Sequence, residues 1–349
     1  MQNIVSIPKH VIVYQEPGRF GGWPANHGIW SWGDEILVGF ERAYYQANDT
    51  NHSIVWEKKA ELGLARSLDG GETWKLEQPG ALVRPVESAS PLLEAIDFGN
   101  PHFAMKISAT VLFISYDRGK NWQGPYQIPD FDRKLTSRTD YLVQSPDECL
   151  FFLSAFEPGV EAGLQDRAFC ARTKDGAMTF EFLSWMTGEP VSVRSVMPST
   201  VRGSKGQLIS AMRRRHDIHK EDKTIPECWI DVYQSQDAGR SWQFLSKAAD
   251  TGDWNGNPPS LVRLQNGRLC LAYGYRKPPF GIRARLSDDE GLTWGEEINL
   301  RDDGRTWDLG YPRMVQRADG KLVTIYYFTT RENPQQHIAA TIWDPDSYS

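Results

Sequence analysis

Short apolar runs separated by polar turns dominate the chain, and between Asn257 and Trp294 their order is plain. Asn257-Pro-Pro-Ser-Leu-Val-Arg-Leu264 leads through the turn Gln265-Asn-Gly267 into Arg268-Leu-Cys-Leu-Ala-Tyr-Gly-Tyr275. A third run, Gly281-Ile-Arg-Ala-Arg-Leu286, ends in Ser287-Asp-Asp-Glu-Gly-Leu-Thr-Trp294. Runs this short, bounded by Gly, Asn and Pro, predict strands, here four per module in the order A to D. The order recurs from Ser195 with the turn Gly203-Ser-Lys-Gly206 and from Gly310 with the turn Ala318-Asp-Gly320. It recurs less regularly from Ala25, Pro91 and Thr136. Six modules follow, over residues 26–77, 88–126, 136–184, 195–246, 257–298 and 309–343. The sixth has the run Ile338-Ala-Ala-Thr-Ile-Trp343 but no outer strand after it, and residues 10–14, His10-Val-Ile-Val-Tyr14, are expected to supply one. The expectation is an all-β fold, a single six-bladed β-propeller over residues 1–349, its ring closed by the N-terminal strand so that no sheet edge stays open.

Octets mark the joins between third and fourth strands. Ser67-Leu-Asp69-Gly-Gly71-Glu-Thr73-Trp74, Ser115-Tyr-Asp117-Arg-Gly119-Lys-Asn121-Trp122, Ser235-Gln-Asp237-Ala-Gly239-Arg-Ser241-Trp242 and Ser287-Asp-Asp289-Glu-Gly291-Leu-Thr293-Trp294 superimpose. Thr173-Lys-Asp175-Gly-Ala177-Met-Thr179-Phe180 is a degenerate fifth with its glycine displaced. The chemistry is that of a turn: Asp and Ser or Thr bind the local backbone, Gly takes positive φ, and Trp opens the next strand. A sixth imitation, Asp302-Asp-Gly304-Arg-Thr306-Trp307, follows Trp294 too closely for another module and reads as a loop between modules. The octets are expected on the face opposite the long loops, at about residues 41 to 58, 154 to 168, 213 to 226 and 246 to 258, which place a binding site at the mouth of a central funnel.

Composition narrows the classes. With 40% hydrophobic residues and 13 Trp, 13 Tyr and 15 Phe, a large core can be buried. A net charge of -6 gives no broad basic surface for nucleic acid or an anionic bilayer, so an anionic ligand must be met by a local cluster. No apolar run approaches the roughly 20 residues that span a membrane. The N-terminus lacks a basic segment followed by an apolar one, so the sequence reads as soluble and cytoplasmic. Cys149, Cys170, Cys228 and Cys270 lie far apart with no C-x-x-C spacing, which predicts buried reduced thiols. No glycine-rich phosphate loop, nucleophile elbow or zinc spacing appears, so neither cofactor nor metal is expected; His216 and His219 lack a third ligand.

The octets, known as Asp boxes, the six modules and Gly39-Phe-Glu41-Arg42 ending the second strand of the first module resemble sialidases and the wider sialidase-like superfamily with bacterial neuraminidase repeats. That resemblance implies an exo-glycosidase with a Tyr nucleophile helped by a Glu, an Asp acid/base on the first B–C loop, and three Arg gripping the sugar carboxylate in bidentate fashion. Carried over, Tyr311 in Gly-Tyr-Pro takes the nucleophile's place and Asp49 that of the acid/base, with Glu41 nearby. The helping Glu is replaced by Met197. The Arg-Ile-Pro that supplies the first arginine is replaced by Trp23-Pro-Ala-Asn26-His27, with Arg19 the nearest substitute. Arg213, Arg214 and Arg215 end the second strand of the fourth module, where the second arginine falls, and alternation turns Arg214 away from its neighbours. Arg276 and Arg313 both qualify for the third. His27, Arg42, Arg138, Asp140 and Asn257 complete the candidate substrate-binding set.

Each residue also has a structural reading. Asp49 sits in the turn sequence Asn48-Asp-Thr-Asn51, Tyr311 could pack between modules, and the arginines could pair with Glu221 and Asp222. Three functions remain open: an exo-α-sialidase-like hydrolase acting on a terminal acidic sugar, a polysaccharide lyase or other glycosidase using His27 and Tyr311 on a uronate-containing glycan, and a non-catalytic carbohydrate-binding propeller. In all three the partner is a glycan or small acidic sugar.

Overall fold

A computed structural model describes residues 7–157, 166–188, 192–221 and 223–348. The structure is all-β, with 24 strands among these residues. β1 (Lys9–Tyr14) and β2 (Arg19–Gly22) precede a first antiparallel set, β3 (Gly28–Trp32), β4 (Glu35–Tyr44), β5 (Glu61–Ser67) and β6 (Lys75–Glu77); β2 pairs with the far end of β4. The second set is β7 (Ala104–Ser108), β8 (Val111–Ser115) and β9 (Gln123–Gln127). The third is β10 (Tyr141–Val143), β11 (Cys149–Ala155), β12 (Arg167–Thr173) and β13 (Glu181–Trp185). The fourth is β14 (Val193–Arg202), β15 (Leu208–Lys220), β16 (Lys223–Ser235) and β17 (Gln243–Asp250). One parallel bridge, Arg167 to Ser195, joins these two into a single sheet. The fifth is β18 (Ser260–Arg263), β19 (Leu269–Tyr275), β20 (Phe280–Ser287) and β21 (Ile298–Gly304). The last is β22 (Gly310–Gln316), β23 (Leu322–Phe328) and β24 (His337–Trp343), with β1 on its outer edge. That pairing runs from Lys9 opposite Ile342 to Tyr14 opposite Ile338.

Alternation along the strands explains the core. In β11, Cys149, Phe151 and Leu153 enter a cluster shared with the second set, while Leu150 and Phe152 enter one shared with the fourth. Both faces are buried, so these strands read as unbroken apolar runs. Six such clusters join the first set to the second, second to third, third to fourth, fourth to fifth, fifth to last, and last to first. The four cysteines are buried and unpaired. Among the described residues no helix is long and apolar enough to cross a membrane.

All five octets close a turn between the last two strands of a set with one hydrogen-bond pattern. Ser67 Oγ donates to Asp69 and accepts from the Gly71 N–H at 2.8 Å, while Asp69 accepts from the Thr73 N–H and hydroxyl. The degenerate octet does the same through Thr173, Asp175 and Thr179, with Ala177 at φ 68 in the position of glycine.

Three expectations change here. Among the described residues no strand starts at Pro91, and the second set has three strands; Ser90 instead bridges Tyr126 in parallel. Residues 213–226 are not a loop, because β15 and β16 stay paired out to Lys220 opposite Lys223. Asp302, Asp303 and Gly304 belong to β21 rather than to a loop. Residues 158–165 of the expected 154–168 loop, and Asp222, lie outside the described residues.

Candidate active site

Antiparallel order puts the start of each first strand beside the end of each second strand, at the end of the set opposite the first turn. The octets dock near those first turns, as where Gly70 N–H donates to Asp34 O and Gly176 N–H to Asp147 O. The polar groups of interest gather at the other end.

Three residues in or just before first strands share one backbone device. Trp23, Met197 and Tyr311 each precede a proline and each hold a left-handed φ, 51°, 55° and 51°. A bulky residue in that region before proline is strained, so its surroundings must hold it there. For Tyr311 the holder is Asn257, which is fully buried: its Oδ1 accepts from the Tyr311 N–H at 2.6 Å and its Nδ2 donates to Leu309 O at 3.0 Å. Gly274 and Gly310 make room for that amide, since a Cβ on either would stand 2.7 and 2.3 Å from it. Asn257 is therefore out of a substrate's reach and supports Tyr311 from behind.

Thus fixed, the Tyr311 hydroxyl accepts from Arg213 Nη1 at 2.9 Å, and the Arg276 guanidinium lies 5.5 Å from its ring centre. Burial favours the neutral phenol, but the cations Arg213, Arg276 and Arg194 outweigh it and hold Tyr311 below its ordinary value. Arg213 is 2% exposed and otherwise donates to Asn255 O and, weakly, to Met197 Sδ at 3.8 Å. Arg138 donates to Asn26 Oδ1 and to the Thr136 and Ser137 carbonyls. Among the described residues neither arginine has a carboxylate partner, whereas Arg194 is paired with Asp166. Arg276 is satisfied by Leu309 O, Trp254 O and the Tyr327 hydroxyl.

Two cavities flank this centre. One, of about 630 Å³, is lined by His52, Arg215, Trp254, Asn255 and Trp307 among others. The second, of about 580 Å³, is lined by His27, Glu41, Glu61, Arg84 and Lys106 among others. His27 Nε2 lies 3.2 Å from Glu41 Oε2, and its buried Nδ1 has no partner among the described residues. Burial lowers the His27 pKa, against the hydrogen bond that Glu41 accepts from it. Burial also pushes Lys106 down to about 8, helped by the charge of Arg138.

The remaining candidates fall into three groups. Arg213, Arg276, Tyr311 and Arg138 surround the centre, and Glu41 with His27 faces the second cavity. Arg313 and Asp140 form a third group, engaged with the backbone and Thr200: Arg313 donates to Ala25 O and Thr139 O, and Asp140 accepts from Thr200, its carboxyl pushed up to about 7 by burial against the pull of Arg313. Arg19, Arg42, Arg214 and Asp49 do not join the site. Alternation on β4 sends Arg42 away from Glu41 to Tyr14 and Glu16, and Arg19 stacks on Tyr44 and pairs with Glu61. Arg214 turns to Tyr233 and Asp231 on the far face of β15. Asp49 is exposed, and only its backbone carbonyl makes a described hydrogen bond, from Trp307 Nε1. The partner of Arg215 is Asp217, not Glu221.

Residues 96–324 match the model of the BNR repeat-like domain, well over half of the chain. The chain belongs to the BNR repeat-like family. This is the sialidase-like superfamily that the octets resemble. No curated protein matches the chain in sequence. Solved structures do match over nearly its whole length. A protein of unknown function from Dyadobacter fermentans is 21% identical with a TM-score of 0.69, covering 96% of this chain and 98% of that one. A Penicillium chrysogenum α-L-arabinanase complexed with arabinobiose is 14% identical with a TM-score of 0.60, covering 96% and 97%. A Trypanosoma rangeli sialidase in complex with sialic acid is 12% identical with a TM-score of 0.55, covering 96% of this chain and 58% of that one. At these identities the likeness is one of fold.

Within this BNR repeat-like chain the sequence reading missed His52, Asp308, Trp254 and Lys106. His52 Nδ1 lies 2.6 Å from Asp308 Oδ1, and Trp254 stacks on Trp307 with centroids 4.9 Å apart. A lone His after a polar turn carries no signal, and its partner lies 256 positions away. Trp254, in the loop before Asn257, was the one that could have been noticed, as an aromatic in a polar loop over the expected funnel.

Proposed function

We propose that the six strand sets form a six-bladed β-propeller with Asp boxes on one face, and that the opposite mouth is the active site of a glycoside hydrolase releasing a terminal acidic sugar. The ring is supported by the six core clusters, each joining one set to the next and the last returning to the first. Glycosidase chemistry is supported by fold likeness to an arabinanase and a sialidase, whose different sugars leave the substrate to be argued from the site itself.

One observation carries the choice of an acidic sugar. Met197 stands where a carboxylate could have compensated Arg213, so buried Arg213 and half-buried Arg138 are guanidinium groups without a carboxylate partner among the described residues. A buried cation left in that state is costly, and a carboxylate arriving with the substrate removes the cost. Tyr311, its phenol acidified by Arg213, Arg276 and Arg194, is the nucleophile: the phenolate oxygen attacks the anomeric carbon and is later displaced by water. The test is a panel of 4-nitrophenyl glycosides of sialic, glucuronic and galacturonic acid. Wild type is expected to turn over at least one, and Tyr311→Phe to lose activity by about 10²-fold or more. A wild type inert on all three sinks the reading.

A second reading has its own support. No described carboxylate bonds Tyr311; the arginines beside it favour its phenolate, which also suits a base that takes the C5 proton of a uronate whose carboxylate those arginines neutralise. Uronate polymers then yield an unsaturated product absorbing in the ultraviolet, which hydrolysis never forms.

A further inference from the structure

The acid/base group expected on the first long loop is missing at Asp49, whose side chain is exposed and makes no described hydrogen bond. Three residues on, His52 turns inward. The loop that carries it is built to hold it there: Asn48 Oδ1 accepts from the N–H groups of Thr50 and Asn51, Ser53 Oγ donates to Asn48 O, and Ile54 bridges Tyr45. Asp308, 1% exposed, meets His52 Nδ1 with Oδ1 and also accepts from the Tyr327 hydroxyl at 2.7 Å, Gln336 Nε2 at 3.1 Å and the Ser53 N–H. A carboxylate so supplied with donors has no proton of its own to offer, so Nδ1 of His52 is the donor in their hydrogen bond. That fixes the tautomer and leaves Nε2 without a partner among the described residues, on the ring that lines the 630 Å³ cavity.

The cavity also has a sugar platform. Trp254 is 43% exposed and lies parallel to Trp307, at an interplanar angle of 7°, and the Trp307 ring is 5.3 Å from the His52 ring. The link to the centre is short: Tyr327 bonds Asp308 with its hydroxyl, accepts from Arg276 Nη2 at 2.8 Å, and packs its ring 6.1 Å from that of Tyr311.

We propose that His52, oriented by Asp308, is the acid/base group of this enzyme, and that the Trp254–Trp307 cavity receives the leaving side of the substrate. The proposal rests on the glycosidase reading above. In the first step the imidazolium Nε2–H gives its proton to the glycosidic oxygen as the bond to the anomeric carbon breaks and its electron pair stays on that oxygen, while Tyr311 oxygen bonds to the same carbon. In the second, neutral Nε2 takes a proton from water, the water oxygen bonds to the anomeric carbon, and the Tyr311 oxygen leaves as phenolate. The net change is addition of water across one C–O bond. Asp308 is a positioning residue, since it meets only the far nitrogen of the ring.

The experiment compares two glycosides of the acidic sugar selected by the panel. One has a 4-nitrophenyl leaving group, which departs without a proton, and the other a methyl group, which needs one. His52→Ala is expected to lose about 10²- to 10⁴-fold on the methyl glycoside and less than about tenfold on the nitrophenyl one. Added azide should restore turnover of the nitrophenyl glycoside and form a glycosyl azide. Asp308→Asn should follow the same leaving-group pattern to a smaller degree, and Asp49→Ala should leave both rates unchanged. An equal loss on both glycosides for His52→Ala and Asp308→Asn, or the leaving-group pattern appearing in Asp49→Ala, overturns the assignment while the glycosidase reading stands. A wild type inert on the whole panel overturns both.

Discussion

Asn257→Ala removes the support behind Tyr311, and its cost can be worked from the contacts. The Tyr311 N–H loses its only described acceptor and is left buried, which costs about 1–3 kcal/mol, whereas Leu309 O keeps both donors from Arg276 and loses only one bond, worth about 1 kcal/mol. Relaxation of Tyr311 from its left-handed φ returns about 1 kcal/mol. The net expectation is a loss of about 1–3 kcal/mol, measured by urea unfolding followed through tryptophan fluorescence. Turnover should fall further than stability predicts, because the same relaxation takes the hydroxyl away from Arg213. Asn257→Asp is the informative partner: it keeps an acceptor for the Tyr311 N–H, so more turnover per folded molecule should survive than in the alanine variant. If Asn257→Ala unfolds within about 0.5 kcal/mol of wild type, or is destabilised with turnover unchanged, Asn257 does not hold Tyr311 in place.

Three further outcomes are expected. Burial opposes ionisation of Asp69, but the hydrogen bonds from Thr73 and Ser67 prevail and hold it at about 2 instead of 3.8, so its contribution is present above pH about 4 and lost as pH falls toward 2; Asp69→Asn should flatten acid unfolding across that window, read by fluorescence. Lys106 sits at about 8 instead of 10.5, so between those values the unfolded chain holds a proton the folded one has shed and stability rises with pH; Lys106→Met should be more stable than wild type at pH 7, with the gap closing as pH rises from 8 to 10.5 in urea titrations. Ala238 is exposed at φ 58, where the first octet has Gly70, so Ala238→Gly should raise stability by about 0.5 kcal/mol, visible as a small increase in Tm.

Much of the fold was legible because its physics is local. Strands buried on both faces read as apolar runs, and the octets satisfy their own backbone within a few residues, so Ser67, Asp69 and Thr73 could be interpreted without knowing what surrounds them. Pairing of residues 10–14 with β24 was legible for a different reason, since an apolar run without a partner and a set without an outer strand imply each other. The site was less legible because its partnerships are distant. Glu41 and Arg42 were chosen together as neighbours, yet a strand sends them to opposite faces, and nothing nearby announced that Glu16 and Tyr14 would hold Arg42. The His52–Asp308 pair joins a loop of the first set to the entry into β22, two segments far apart in the chain.

The same backbone position, repeated around the molecule, explains how an otherwise structural repeat acquires a site. Trp23, Met197 and Tyr311 occupy equivalent places before a proline, and each is kept in a conformation costing about 1–3 kcal/mol, which persists only where the surroundings over-determine it. The side chains then diverge in use. Trp23 packs 4.9 Å from the His52 ring and 6.2 Å from Tyr327, Met197 touches Arg213, and Tyr311 receives the hydrogen bond of that arginine. Strain that a single module would lose by relaxing is held at two of them by packed neighbours: His52 from the same set and Tyr327 from the last set against Trp23, and Arg213 and Asn257 against Tyr311. The Met197 thioether at one of these positions offers Arg213 only a weak contact, which leaves its charge without a carboxylate partner among the described residues beside Tyr311. On the proposed function, specificity for an anion rests on the residue at one repeat position, without any new element in the fold.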